Sequence, residues 1–276
     1  MGNIFQENGF AINRAVKLSA VIITFNEEDN INRCLNSLDD IADEIVVVDS
    51  FSTDRTKGIC AKKGVRFILN RFTGHVAQKN FAVSQAKYDY VLSLDADEAL
   101  SDELAASIQK VKRNWHYDAY SFNRLTNYCG KWIKHCGWYP DKKTRLWNRQ
   151  KGSWGGSDPH DRVVMEKNSS THHIRGDLFH YSYPSIRDNI AQINLFSDIA
   201  ATSAFQKGKK AYLITDIILN PPLTFIKKYI IKFGILDGFY GFVISVLTAF
   251  ARFLKYVKLR ELNTCNKNEN TSYPKQ

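Results

Sequence analysis

Residues 18–49 read LSAVIITFNEEDNINRCLNSLDDIADEIVVVD, and this stretch decides the fold. Its first seven residues form a short apolar run rich in β-branched side chains, which is typical of a strand buried on both faces. Ile31, Leu35 and Leu38 then recur at helical spacing. The stretch closes with a second buried run at residues 44–49. Strand, helix and strand in this order predict a parallel βαβ unit.

The alternation continues outward to about residue 100. Helices are predicted over 56–63 and 78–87, and further strands over 65–69 and 88–94. Such units build an open α/β sheet with helices on both faces, and ligands of these sheets bind beyond the carboxyl ends of the strands. We therefore expect a single Rossmann-like, mostly parallel sheet flanked by helices, with its site at that edge.

The chain becomes irregular after a helix predicted at 102–113. Short strands are expected at 119–122 and 143–147, and a long helix at 185–205. The glycine-rich residues 152–157, GSWGGS, are interpreted as a mobile loop.

Acidic residues follow three of the predicted strands: Glu27 after the first, Asp49 after the second, and Asp95 and Asp97 after the fourth. A carboxylate at such a place must be solvated, paired or bound to a metal. Asp95-Ala96-Asp97 suits Mg²⁺ or Mn²⁺ bridging the two phosphates of a nucleotide diphosphate. The alternative is a solvated helix N-cap. Neither GxGxxG nor GxxxxGK[ST] is present, which disfavours dinucleotide and P-loop sites.

Four segments together resemble the family 2 glycosyltransferases, in that family's order and at suitable spacing: VIITFNEE (21–28), IVVVDSFSTDRT (45–56), QKN (78–80) and LDADE (94–98). The resemblance implies a GT-A fold for the nucleotide-binding half. Three later segments resemble the branch that builds bacterial lipopolysaccharide core and related surface glycans: PHDRV (159–163), LFHYSY (178–183) and DGFYGF (237–242).

The resemblance also implies roles for individual residues in donor binding. The residues expected to line the nucleotide pocket are Thr24, Asn26 and Glu27. Asp49 would contact the base or ribose, and Lys79 would lie near the donor phosphates. Asp97 would be the main metal ligand, and Asp95 would touch the ribose or the metal.

The proton acceptor in this family is an Asp or Glu of a later motif, which falls here at Asp161. Many relatives carry Glu at that position, so the reach of the shorter side chain is in question. A carboxylate is needed because a sugar hydroxyl is a poor nucleophile. His160 is the competing base, since its reference pKa is near neutral. His180 is a candidate further metal ligand or diphosphate contact, with a purely structural role as its alternative.

The C-terminal region is apolar and basic. Residues 201–276 contain twelve Lys or Arg and four Asp or Glu, within a total net charge of +10. Residues 234–250 form a mostly apolar run interrupted by Asp237. This pattern favours a monotopic anchor on the cytoplasmic face of an inner membrane, rather than nucleic acid as the partner. A transmembrane helix and packing against the catalytic domain stay open as alternatives.

Four segments are predicted: an N-terminal extension (1–17), a GT-A catalytic domain (18–205), a helical membrane-associating region (206–262) and a disordered tail (263–276). The catalytic domain divides into a nucleotide-binding half (18–100) and an acceptor-binding half (101–205). Residues 1–17 hold no long apolar run, and five irregularly spaced cysteines predict reduced thiols.

The expected function is transfer of a sugar, with inversion, from a nucleotide-diphosphate sugar to a hydroxyl of a lipid-linked or lipopolysaccharide core glycan. The transfer would depend on a divalent cation, and the expected donor is a UDP-hexose such as UDP-glucose. Two other classes remain: a sugar nucleotidyltransferase and a non-catalytic, nucleotide-binding membrane adaptor.

Overall fold

The computed structural model of the chain describes residues 15–157 and 160–271. The first strands and helices are β1 (Leu18–Thr24), α1 (Ile31–Asn36), β2 (Glu44–Asp49), α2 (Thr56–Lys62), β3 (Arg66–Leu69), α3 (His75–Ser84) and β4 (Tyr90–Asp95). The four strands are parallel and lie in the order β3-β2-β1-β4. The predicted βαβ alternation is therefore confirmed.

The later elements add strands of mixed direction. They are β5 (Glu98–Leu100), α4 (Asp102–Arg113), β6 (Ala119–Tyr128), β7 (Lys131–Trp132), β8 (Asp141–Asn148), β9 (Gly152–Ser157), β10 (His160–Met165) and β11 (Thr171–Tyr183). Among the described residues the main sheet runs β3-β2-β1-β4-β8-β6-β11-β5, with β7 paired to β6. β8 is antiparallel to β4, so the parallel half ends at β4.

The glycine-rich residues 152–157 are a strand, so the expected mobile loop is wrong. β9 pairs antiparallel with β10, and Trp154 lies opposite Val163. A Cβ atom on Gly152 would come within 2.6 Å of Met165 Sδ, and one on Gly155 within 3.0 Å of Val164 Cγ2. The glycines therefore serve close packing across the hairpin, and they do not make this segment flexible.

The described residues form two compact units. The first contains residues up to Asn123 together with 142–179, and the second contains 124–141 together with residues from 180 onward. The chain thus leaves the first unit and returns to it, and α5 (Ile186–Gln206) falls in the second. These units are divided at residues 123/124, 141/142 and 179/180, whereas the sequence predicted a boundary between residues 205 and 206.

The core of the first unit explains why β1 is apolar throughout. Ala20 and Ile22 pack in one cluster with Leu35, while Val21 belongs to a second cluster with Trp147. Successive side chains of a strand point to opposite faces, so both faces of β1 are covered. This double burial is what the β-branched run predicted.

The second unit is mainly helical after β11. The long helix expected at 185–205 is confirmed by α5, which spans Ile186–Gln206. It is followed by α6 (Asn220–Ile226), with π-helical segments at Leu213–Leu219 and Lys227–Ile231 on either side, a 3-10 turn at Gly234–Asp237 and α7 (Gly238–Thr271). By length and composition alone, the helical stretch Gly234–Cys265 could cross a membrane, a criterion that core helices of soluble proteins also meet.

The C-terminal end of the chain is helical beyond the boundary expected for the tail. α7 continues to Thr271, so the disorder expected from residue 263 is not seen over 263–271. Residues 272–276 of that tail, and residues 1–14 of the expected N-terminal extension, lie outside the described residues.

Candidate active site

The acidic and polar residues at the ends of β1, β2 and β4 lie side by side. In the parallel register Thr24 is opposite Asp49, and Ile23 is opposite Asp95. The amide of Ala96 also donates to the carbonyl of Ile23 at 3.2 Å. The fold thus brings together the sequence-predicted residues at the carboxyl edge of the sheet.

Lys79 links two of the expected carboxylates. Its Nζ lies 3.0 Å from Oδ1 of Asp95 and 2.7 Å from Oδ2 of Asp161. The residue is only 3% exposed, and its ammonium sits 4.4 Å from the centre of the Trp154 ring. A buried cation needs such partners because an uncompensated charge is costly away from water. Lys79 therefore fixes Asp161 beside the end of β4.

Arg145 of β8 extends this network. Its guanidinium donates to Oε1 of Glu98 at 2.8 Å and to Oδ2 of Asp95 at 3.2 Å, and it lies 4.8 Å from the Trp154 ring centre. Burial lowers the pKa of Arg145, but the charges of Glu98, Asp95 and Asp161 outweigh burial and raise this pKa above its ordinary value. Arg145 is therefore a permanent positive charge next to Asp95.

Asn80, the neighbour of Lys79, anchors the β9–β10 hairpin. Its side chain accepts from the amide of Trp154 at 2.9 Å and donates to the carbonyl of the same residue at 2.9 Å. The indole Nε1 of Trp154 donates to Ser93 Oγ at 3.2 Å. Two successive residues of α3 thus hold β9 by its backbone and β10 by Asp161.

The loops after β1 and β2 are tied to each other. Ser52 Oγ accepts from the amide of Asn26 at 2.7 Å, and Oδ1 of Asn26 accepts from the amide of Thr53 at 2.8 Å. Both oxygens of the buried Asp49 accept from the backbone and hydroxyl of Ser52. The buried hydroxyl of Thr24 has no hydrogen-bond partner among the described residues. The expected contacts of these residues with a nucleotide stay predictions.

Glu27 lies in a strongly negative environment. Burial, in the first place, raises the pKa of its carboxyl to about 7, and the nearby charges of Asp97, Asp54 and Asp95 add to this rise. The hydrogen bond that Glu27 accepts from Asn30 at 2.8 Å acts in the opposite direction. Glu27 is therefore near enough to Asp97 for the charge of Asp97 to raise its pKa.

This carboxylate site fits a divalent cation. Mg²⁺ and Mn²⁺ prefer oxygen ligands, and a cation would relieve the repulsion that acts on Glu27. Among the described residues no three His, Cys, Asp or Glu side chains are arranged to hold a metal. The protein would therefore supply a few oxygens, Asp97 foremost, and leave the other positions to water and phosphate, as is common for Mg²⁺.

The roles predicted for two histidines, His160 and His180, stay untested. His180 belongs to the second unit, where its Nδ1 lies 3.4 Å from Thr126 Oγ1. Its assignment to the metal stays a prediction. The side chain of His160 lies outside the described part of the chain, so the choice between His160 and Asp161 as the base stays a prediction too.

Sequence reasoning missed Arg145, Trp154 and the role of Glu98. Arg145 sits within the strand sequence DKKTRLWN, where an arginine looks like an ordinary outward-facing residue. Glu98 was part of the quoted LDADE motif, yet it is fully buried and binds Arg145. An arginine directly before a buried Leu-Trp pair was the only available signal, and it is a weak one.

Comparison with known proteins gives consistent matches. Residues 19–171 match the model of the family described as Glycosyl transferase family 2. An uncharacterized glycosyltransferase, RP128, of Rickettsia prowazekii (strain Madrid E) is 36% identical over 269 residues, which cover 93% of this chain and 91% of that protein. The lipopolysaccharide core biosynthesis glycosyltransferase LpsC of Rhizobium meliloti (strain 1021) is 30% identical, covering 88% and 91%.

Among solved structures, residues 1–349 of S. aureus TarS in complex with UDP-GlcNAc align over 92% of each chain, with 15% identity and a TM-score of 0.45.

Proposed function

Because the chain belongs to glycosyl transferase family 2, we propose that it transfers a hexose, with inversion, from a nucleotide-diphosphate sugar to a hydroxyl of a glycan acceptor. The observed sheet and the family match together confirm the expected GT-A fold. The observation that carries the proposal is that Lys79 forms two ion pairs, one with Asp95 and one with Asp161. These place a general-base candidate beside the acidic end of β4.

Asp161 is the proposed proton acceptor. One of its oxygens, Oδ2, is held by Lys79 at 2.7 Å, and its side chain keeps 17% of its surface exposed. A carboxylate has a second oxygen that can accept the proton of an incoming hydroxyl. Holding one oxygen rigidly orients the other, and orientation contributes directly to the rate. In this scheme Lys79 and Trp154 are positioning residues.

Donor binding is assigned to the edge formed by β1, β2 and β4. The unpartnered hydroxyl of Thr24 and the joined loops at Asn26 and Asp49 suit a nucleoside, for which uridine is our proposal. A divalent cation held by Asp97 would supply neutralisation of the charge that develops on the leaving diphosphate. Arg145 adds a permanent positive charge at the same end of β4.

The proposed acceptor is a lipid-linked or lipopolysaccharide core glycan. This rests on the lipopolysaccharide core biosynthesis role of the LpsC relative, which aligns over about nine tenths of its own length, and on the exposed apolar side chains of the second unit. Large apolar side chains are exposed along residues 212–253, including Ile214, Leu223, Ile231, Leu236 and Phe239. Single exposed apolar residues are ordinary, but a patch of this extent marks an interaction surface.

We assign this surface, here called the C-terminal helical pair (residues 212–253), to the cytoplasmic face of an inner membrane. α6 packs against α7, so the pair is one folded element. Exposed apolar residues on α7 recur at helical spacing: Phe239, Phe242, Val246, Phe250 and Phe253. Lysines flank the stripe and suit anionic lipid headgroups.

An in-plane helical pair fits better than a transmembrane α7. Before its first basic residue, Arg252, α7 has fourteen residues, which span about 21 Å, short of the roughly 30 Å hydrocarbon core. Further along, Lys258 pairs with Asp198 of α5 at 2.7 Å, and Leu259 packs with Ala201. Crossing the bilayer would draw these polar groups of α5 into lipid, at high cost.

A direct test is a screen of nucleotide sugars with the purified chain. We expect UDP-glucose or another UDP-hexose to raise the unfolding midpoint only with Mn²⁺ or Mg²⁺, and to label a core oligosaccharide acceptor. Asp97→Ala should abolish transfer, while Asp89→Asn, an exposed site paired with Arg149 at 3.5 Å, should not. Cation-independent transfer by Asp97→Ala would refute the proposed site.

A further inference from the structure

A groove runs between α5 and α7 within the second unit. Its volume is about 350 Å³. Apolar side chains from both helices line its walls, among them Ile193, Ala200, Ile244, Leu247 and Ala251. From Ile244 to Lys255 the α7 wall is twelve residues long and rises about 16 Å along the helix. We call this feature the α5–α7 groove.

Two amide oxygens and one hydroxyl of the groove wall already have partners, and most of the remaining wall is apolar. Asn189 accepts from the hydroxyl of Tyr128 at 3.1 Å, and Gln192 accepts from the hydroxyl of Tyr183 at 2.5 Å. Ser197 donates to the carbonyl of Asn194 at 2.7 Å. A sugar or a peptide backbone would need unused polar groups in such a wall. The groove therefore favours an apolar chain as its occupant.

Two cations stand at one end of the groove. Arg252 and Lys255 both line it, and neither forms an ion pair with a carboxylate in the described part of the chain. The next lysine, Lys258, differs in that it pairs with Asp198. Burial lowers the pKa of Lys255, and the charges of Arg252 and Lys209 lower it further. An anion at this end would relieve that repulsion.

We propose that the α5–α7 groove binds one acyl chain of an anionic membrane phospholipid, with the phosphate held by Arg252 and Lys255. The two cations favour an anionic headgroup, and the mainly apolar walls favour the acyl chain. The groove also adjoins the lipid-facing stripe, because Leu247 and Ala251 flank Val246 and Phe250 on the same helix. The inference rests on the proposed membrane association, and it does not depend on sugar transfer.

The test uses soluble lipids, so that vesicle binding does not enter the measurement. The full chain is titrated calorimetrically with dioctanoylphosphatidylglycerol or dioctanoylphosphatidylcholine, each below the concentration at which it forms micelles. We expect one lipid per chain, with the anionic lipid bound about tenfold more tightly or better. Equal affinity for both lipids, or no binding of either, would overturn the proposal.

Variants separate the groove from the rest of the molecule. Ala200→Trp fills the groove and should weaken binding of both lipids by about tenfold or more, and Leu247→Trp from the opposite wall should act alike. The double change Arg252→Gln with Lys255→Gln should lower only the affinity for phosphatidylglycerol, to that of phosphatidylcholine. Wild-type binding by both tryptophan variants, with unfolding midpoints close to that of the wild type, would contradict a groove site.

Phe239→Glu, on the exposed stripe outside the groove, is the matched control. It should reduce sedimentation with vesicles of phosphatidylcholine and phosphatidylglycerol while leaving soluble lipid binding unchanged. Loss of soluble lipid binding in this variant would place the lipid on the stripe and refute the groove. Because no readout uses a nucleotide sugar, a failed transferase assay leaves this result unaffected.

Discussion

Lys79 Nζ lies 2.7 Å from Oδ2 of Asp161, although the two residues are 82 positions apart in the chain. The same Nζ lies 3.0 Å from Asp95, so one buried cation connects the end of a parallel strand to a β-hairpin. Its removal would take from Asp95 and Asp161 the cation that they share, while Arg145 would stay paired with Asp95. The site is therefore held together electrostatically at Lys79.

Lys79→Met should cost about 3 kcal/mol of unfolding free energy, because removing one partner of a buried ion pair leaves the others uncompensated. It should also lower kcat strongly, since Asp161 loses the group that orients it. Urea denaturation and initial rates measure the two effects. Lys62→Met, which removes an exposed lysine of α2, is the control and should change neither quantity. Unchanged stability in Lys79→Met would show that the pair is not structural.

Asp161→Asn should reduce kcat by about 10²- to 10⁴-fold, the usual contribution of a general base. The affinity for UDP should stay close to that of the wild type, because the change does not touch the end of β1 or β2. His160→Ala tests the competing base. If that variant loses the larger share of activity and Asp161→Asn does not, the roles assigned to the two residues are wrong.

Asn80→Ala tests the hairpin as a positioning element. The change removes both side-chain hydrogen bonds to the backbone of Trp154, which should destabilise the protein by about 1–3 kcal/mol. We expect kcat to fall while KM for the donor stays near its original value, because the change loosens β9, the strand paired with the one that carries Asp161. A rise in donor KM with unchanged kcat would instead place Asn80 at the nucleotide.

Much of this arrangement follows from local sequence, and some of it does not. The parallel strands and the acids at their ends were predictable because β-branched runs and helical spacing are local signals. The ion pairs around Lys79 and Asp95 were not, because Lys79, Arg145 and Asp161 come from three distant elements. Their contacts depend on how β8 and the β9–β10 hairpin pack.

The glycine-rich segment shows a second limit of sequence reasoning. Gly152 and Gly155 suggested mobility. In the structure Met165 and Val164 lie so close to them that a larger residue would not fit without a shift. Asp237 is a similar case, since it interrupted an apolar run and looked costly there. It is buried in the second unit and binds the amide and the Nδ1 of His135, at 2.8 and 3.0 Å.

Glu27 should make stability depend on pH. The pKa of its carboxyl rises from an ordinary value of 4.5 to about 7 in the fold, with burial as the main cause. Between these values the folded protein retains a proton that the unfolded chain has lost, so stability falls as pH rises from about 4.5 to about 7. Glu27→Gln should therefore be more stable than the wild type at pH 8, with a smaller difference at pH 5. Urea unfolding in EDTA measures this, with the exposed Glu103→Gln as control.

The carboxyl of Glu27 should also make cation binding depend on pH. Mn²⁺ should stabilise the wild type more at pH 8 than at pH 6, since protonated Glu27 is a poor ligand and no longer repels Asp97. In Glu27→Gln that pH difference should shrink. A pH difference of unchanged size in the variant would separate Glu27 from the cation site.

In-plane insertion of the C-terminal helical pair makes a distinct prediction about α7. A single cysteine placed at Phe239 or Phe250, in a background without the native cysteines, should carry a probe that reports lipid at shallow depth, roughly 5–10 Å below the headgroups. A transmembrane α7 would carry the probe at one of these positions to the bilayer centre.

Introducing negative charge on the stripe tests membrane binding directly. Phe239→Glu together with Phe242→Glu should abolish flotation with vesicles that contain phosphatidylglycerol, because two carboxylates would have to enter the apolar interface. Leu195 lies on α5, and its 57% exposure falls between the 68% of Phe239 and the 46% of Phe242, so Leu195→Glu is a fair control and should float like the wild type. If all three substitutions act alike, the surface is not selective and the orientation argued for α7 fails. Transfer to a soluble core acceptor should survive in every case, since the stripe lies outside the residues assigned to chemistry.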